Sequence, residues 1–224
     1  MTSTRHRTAL IVGAGSGISA SFARALHRDG YSIALAARDT AKLSGLAADV
    51  GARAYACDAT QPVAVSALFA TLDKDLGDLG LVLYNASARE RGAFTDLTAD
   101  GVANAISVSA YGGFLVAQEA AKRMLSLGQG AIFFTGASAS VKGYPRSAAF
   151  AMGKFALRGL AQSMARELSP QGIHVAHFII DGGVRNAGKG RIEDATDQPD
   201  SLLDPDAIAA AYMAVLEQPR SAWT

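Results

Sequence analysis

One cysteine, Cys57, stands in 224 residues. That excludes a disulfide within the chain and suits a reducing compartment. Charge is scarce too: charged residues make up 18%, and 21 Lys and Arg against 20 Asp and Glu leave a formal net charge of +1. A balance so near zero gives no bulk field to draw a nucleic acid or another polyanion. No apolar stretch approaches the ~20 residues of a membrane span. The N-terminal MTSTRHRTALIVGAG has basic residues followed by an apolar run too short for a signal-peptide core, so the expected location is the cytoplasm. No His, Cys and Asp cluster at ligand spacing, and no metal is expected.

What the chain does have is hydrophobic residues, 50% of the total, enough to bury a real core. Short apolar runs alternate with longer amphipathic ones. The strand candidates are 8–12, 31–37, 52–57, 79–85, 131–135 and 173–180, and helices are expected near 17–29, 40–49, 61–75, 98–127, 147–169 and 204–217. Several of the strand runs are almost continuously apolar, as strands covered on both faces should be. Alternation at this rhythm predicts right-handed βαβ crossovers and one parallel sheet, an α/β architecture. With no linker, repeat or low-complexity tract, residues 1–224 read as a single domain. The most polar stretch, 184–200, rich in Gly and charge, reads as a mobile loop.

The first strand runs into GAGSGIS (13–19) and then a helix. Glycines there permit a tight turn and close approach of a pyrophosphate to the helix N-terminus, where open N–H groups favour negative charge. At the end of the second strand, where an acid would grip a ribose 2′-hydroxyl, stand Ala37 and Arg38. An arginine suits a 2′-phosphate, which favours NADP over NAD; Asp39, further into the loop, carries less weight as an NAD-type acid.

Taken in order, these pieces resemble the short-chain dehydrogenase/reductase family over essentially the whole chain. VGAGSGIS (12–19) is similar to the family's glycine motif, with Ser19 in place of the last glycine. Asp58 in CDAT resembles its adenine-contacting acid, and YNAS (84–87) its NNAG motif. The resemblance implies a doubly wound, Rossmann-type parallel sheet, a nicotinamide cofactor across the carboxyl ends of the strands, and a small-molecule substrate. It also implies a homodimer or homotetramer assembled through the helices near 98–127 and 147–169. By the same resemblance Gly13, Ser16, Gly17 and Ile18 cradle the phosphates and Arg38 takes the 2′-phosphate. Asp58 and Ala59 hold adenine, and Asn85, Ala86 and Lys154 hold the ribose. With Trp223-Thr224 as the last residues given, the family's final strand is expected to be missing or truncated.

The family's proton-transfer residues match less well. Its YxxxK pair falls on Phe150 and Lys154, its serine on Ala137 with Ser138 and Ser140 beside it, its helical Asn on Ser109, and its P-G-x-V segment on DGGV (181–184). Ser138 is the favoured substrate contact. Tyr111 and Tyr144 are alternative acids, although packing is the preferred reading of both, as it is of His174 and His177. Arg185, Lys189 and Arg191 lie over the expected substrate side and read as a solvated run. The expectation is an NADP(H)-dependent oxidoreductase of small carbonyl or alcohol compounds with a non-standard catalytic centre. The alternative is a dinucleotide-binding pseudoenzyme that serves as a sensor or assembly subunit.

Overall fold

The computed structural model of the protein describes residues 6–193 and 200–223. Residues 194–199, within the polar stretch 184–200, lie outside the described residues. In chain order the main elements are β1 (Thr8–Val12), α1 (Ile18–Arg28), β2 (Ser32–Ala37), α2 (Ser44–Asp49), β3 (Arg53–Ala56), α3 (Pro62–Asp75) and β4 (Leu81–Tyr84). They continue with α4 (Ala99–Ile106), α5 (Gly112–Leu127), β5 (Gly130–Thr135), α6 (Ala148–Leu168), β6 (Ile173–Phe178) and α7 (Pro205–Leu216). The six described strands form one sheet in the order β3-β2-β1-β4-β5-β6, every neighbouring pair parallel.

Side-chain alternation along the strands sorts the core into two layers. Leu10, Val12, Val82, Tyr84, Ile132 and Phe134 face α3, α5 and α6. Ala9, Ile11, Leu35, Leu81, Leu83 and Phe133 face the other way, against Phe22 and Leu26 of α1 and Tyr212 of α7. Both faces being covered explains why TALIV, wholly buried in β1, shows no polar alternation.

Local chemistry sets several boundaries. Asp204 caps α7, its carboxylate accepting the Asp206 N–H at 2.9 Å, with Pro205 at the first helical position. Gly128, in the left-handed region at φ 64°, ends α5. Between α4 and α5 the chain does not break but widens into a π-type turn, Ser107–Tyr111, whose Val108 carbonyl accepts the Tyr84 hydroxyl at 2.6 Å.

Reversal of strand order between β1 and β4 opens a crevice at the carboxyl ends of the strands. The described part of the 184–200 stretch folds over this crevice and is tied down there. Val184 bridges to Leu203, the Asn186 and Arg191 backbones exchange hydrogen bonds of 2.7 and 3.0 Å, and the Asn186 amide donates to the Ser16 carbonyl at 3.0 Å. At the opposite edge of the sheet, Trp223 stacks on His174 with ring centroids 4.7 Å apart and planes 2° from parallel. Its indole N–H donates to the Gln218 carbonyl at 3.2 Å.

Candidate active site

The crevice is one cleft of about 370 Å³, and Gly13, Ser16, Gly17, Ile18, Arg38, Asp58, Ala59, Asn85, Ala86 and Lys154 all line it. At its floor β1 turns into α1. Gly13 holds φ 76°, and a Cβ there would lie 2.4 Å from the Ala86 nitrogen, so the turn and the loop after β4 touch backbone to backbone. Only glycine fits on both counts. Gly15, by contrast, faces space with nothing within 4 Å of its would-be Cβ. The 11-residue helix α1 starts without a side-chain cap and without an acid in its first turn, so its open N–H groups face the glycine turn. A pyrophosphate fits these donors.

Ser19, where the resemblance implies a glycine, is fully buried and knits this floor together. Its hydroxyl donates toward the Gly13 carbonyl at 3.3 Å and accepts the Asn85 amide N–H at 2.7 Å.

At one end of the cleft Asp58 accepts the Thr60 N–H at 3.0 Å and the Thr60 hydroxyl at 2.8 Å, all on one carboxylate oxygen. Those bonds hold its pKa below the usual carboxylate value, with Arg38 adding to the effect. Arg38 lines the cleft at the end of β2, whereas Asp39 turns away into its own loop, paired with Lys42 at 3.1 Å and accepting the Ala41 N–H at 3.1 Å.

At the other end α6 presents Phe150 and Lys154 one turn apart, both on the cleft wall. Lys154 is 3% exposed, and its ammonium donates to the Thr135 carbonyl at 2.7 Å. Desolvation, reinforced by the nearby Arg89, pushes its pKa down to about 7. Thr135 is held from the far layer as well, its hydroxyl accepting Tyr212 Oη at 3.1 Å. The Arg89 guanidinium carbon lies 3.8 Å from the centroid of the Phe150 ring, and Lys154 Nζ lies 5.8 Å from the same centroid. A phenyl ring thus sits between two cations, without a hydroxyl.

Of the remaining residues named from the sequence, Lys189 and Arg191 line the cleft. Ala137 lines it; Ser138 does not, its N–H spent on the Ile180 carbonyl at 3.0 Å. Ser109 is fully buried and accepts the Ala88 N–H at 3.3 Å. Tyr111 stacks on Phe114 and Tyr144 lies beside Lys142, both outside the lining. His177 sits beneath the wall with its Nε2 3.4 Å from Ser140 Oγ, and burial together with Lys154 and Arg158 pushes its pKa down to about 4. Among the described residues no group of acids, histidines and cysteines is arranged to hold a metal. Two lining residues carried no sequence signal: Arg89, whose partner lies far along the chain, and Asn186, 6% exposed, hidden between the more conspicuous basic residues of its loop.

Comparison with known proteins gives a consistent picture. A family model described as short chain dehydrogenase matches residues 7–195. A short-chain dehydrogenase/reductase of Armillaria gallica is 31% identical, covering 96% of this chain and 85% of its own length. The crystal structure of a short-chain dehydrogenase from Rhodopseudomonas palustris superposes with a TM-score of 0.83 at 35% identity, covering 99% of this chain and 96% of the other. An alcohol dehydrogenase from the archaeon Thermococcus sibiricus, complexed with 5-hydroxy-NADP, gives a TM-score of 0.83 at 25% identity, covering 96% and 92%.

Proposed function

The chain belongs to the short-chain dehydrogenase/reductase family, and from that premise we propose that it is an NADP(H)-dependent oxidoreductase of small carbonyl or alcohol compounds, working without the family's tyrosine. The observation that carries this reading is the single cleft. One end has an uncapped helix N-terminus over a glycine turn, and the other has a buried lysine beside a phenyl ring.

When bound, the dinucleotide supplies or accepts a hydride at its nicotinamide ring. The chain's own residues do the rest. The first-turn N–H groups of α1 hold the pyrophosphate, and Arg38, unopposed by Asp39, meets a 2′-phosphate. Asp58 has one oxygen committed to Thr60, which leaves the other for an adenine amino group. Asn85 fixes the loop beside the ribose through Ser19. Lys154 donates to ribose hydroxyls and, with a pKa of about 7, holds or yields a proton near neutral pH. Phe150 and Ala137 contribute shape, and Ser138 is the hydroxyl nearest in sequence to the substrate wall.

The test is a fluorescence titration of the purified protein with NADPH and NADH, followed by a carbonyl panel. NADPH should bind at least ~10-fold tighter than NADH, and Arg38→Asp should reverse that order. Binding of neither nucleotide would sink the proposal. A second reading, a dinucleotide-binding pseudoenzyme, is favoured by the absence of any tyrosine or histidine from the described cleft lining. Tight NADPH binding with no turnover on any carbonyl would select it.

The two long helix regions also expose Tyr111, Phe114, Met152 and Phe155, at 40–51% of their surface. That apolar exposure supports a homodimer or homotetramer assembled through α5 and α6.

A further inference from the structure

Arg89 stands out among the cleft cations. Its guanidinium carbon lies 3.8 Å from the Phe150 ring centroid, yet among the described residues it has neither a hydrogen-bond acceptor nor an ion-pair partner. Contact with the ring spends none of its N–H donors, which stay open to an oxyanion. Among the described residues no carboxylate fills those donors. Arg38, Arg89, Lys154, Lys189 and Arg191 line the cleft against one acid, Asp58, which is committed to Thr60. Arg91 and Arg191 add to the desolvation that holds the Arg89 pKa below the usual arginine value, so its surroundings are short of negative charge.

The dinucleotide phosphates do not answer this shortage at Arg89. They belong at the glycine turn, where the Lys189 and Arg191 loop touches down, a Cβ on Gly188 lying 3.2 Å from Ser16 Oγ. Arg89 stands instead over the residue that replaces the family's proton donor, where a substrate would lie. We infer that Arg89, seated on Phe150, anchors a carboxylate of the substrate, so that the pocket takes a small keto or hydroxy acid rather than a neutral carbonyl compound. Phe150 is then a seat: an apolar face holds the guanidinium in place while its edge reads the acid. This inference rests on the oxidoreductase reading for what the rest of the substrate is.

The test uses acid and ester pairs, pyruvate with methyl pyruvate, acetoacetate with methyl acetoacetate, and levulinate with methyl levulinate. Each is titrated calorimetrically into the protein saturated with NADP⁺, whose own binding is measured first. At least one acid should bind ~10-fold or more tightly than its ester. Arg89→Gln should erase that preference, and Arg89→Lys should retain part of it. Melting temperatures and NADP⁺ affinity of the variants, both close to wild type, show that the fold and the nucleotide end are intact. Equal binding of acid and ester, binding of neither member in every pair, or a preference that survives Arg89→Gln overturns the inference. If NADP⁺ itself does not bind, the oxidoreductase reading fails instead. The same pairs titrated into the protein alone then decide the anchor separately, by the same preference and its loss in Arg89→Gln.

Discussion

Position 150 carries a phenyl ring without a hydroxyl, and one turn on Lys154 is bonded to the Thr135 carbonyl at the end of β5. General acid catalysis is worth roughly 10²–10⁴ in rate. If the cleft is otherwise that of a dehydrogenase, Ala137→Ser combined with Phe150→Tyr should raise NADPH oxidation by a responsive carbonyl by about that factor. A fall in turnover in the double variant would instead identify a different donor as the working acid. Lys154 makes a second, thermodynamic prediction. Its folded pKa of about 7 lies below the ordinary lysine value of 10.5. Below pH 7 both the folded and unfolded chains carry the charge, and the folded one bears the full burial penalty. Between about 7 and 10.5 the unfolded chain binds the extra proton, so stability rises with pH, by at most ~1.4 kcal/mol per unit. Relative to Lys154→Met, the wild type should therefore gain stability from pH 7 to 10 in urea unfolding of the nucleotide-free protein. A difference that stays flat with pH would show that Lys154 remains charged and solvated.

Among the elements, strands and glycine turn were the most legible in sequence. Short, continuous apolar runs bounded by turn residues fit strands buried on both faces, and β1 falls on 8–12 as read from TALIV. The long helix expected over 98–127 is correct in extent but hides the π-type turn at Ser107–Tyr111. One extra residue in a turn shifts the apolar face by an amount that side-chain periodicity does not resolve. The site was readable where a motif is local, as in residues 13–19, and unreadable where it is assembled in space. Arg89 meets Phe150 only because the loop after β4 and the start of α6 converge, and nothing near either residue announces it. Ser19 is an intermediate case. As a missing glycine it looked like a weak match, and in the fold it replaces an open contact with a bond to Asn85. Ser19→Ala should cost about 1 kcal/mol of unfolding free energy, with a parallel loosening of nucleotide binding, both measurable in one denaturation series with and without NADPH. Unchanged stability would mean that Asn85 finds an equivalent partner in the Gly13 carbonyl, 3.4 Å away.

On the scale of the molecule, Thr135 ties the two layers together, taking Lys154 on its carbonyl and Tyr212 on its hydroxyl. The outer surface of the helical layer is the proposed meeting place of subunits. Phe155→Asp together with Met152→Asp should convert the oligomer to a monomer in size-exclusion chromatography with light scattering, because two charges desolvated in an apolar contact are not tolerated. A wild type that already elutes as a monomer would remove that assembly from consideration.

The lone tryptophan lies at the edge of the sheet farthest from all of this, face to face with His174. That separation gives the protein two optical channels that do not overlap in space. Indole emission from Trp223 reports on the foot of the strands, where the ring stacks on His174, whereas nicotinamide emission would arise at the crown. Unfolding that starts at the foot and ligand release at the crown should therefore be separable by colour in a single cuvette, without any label.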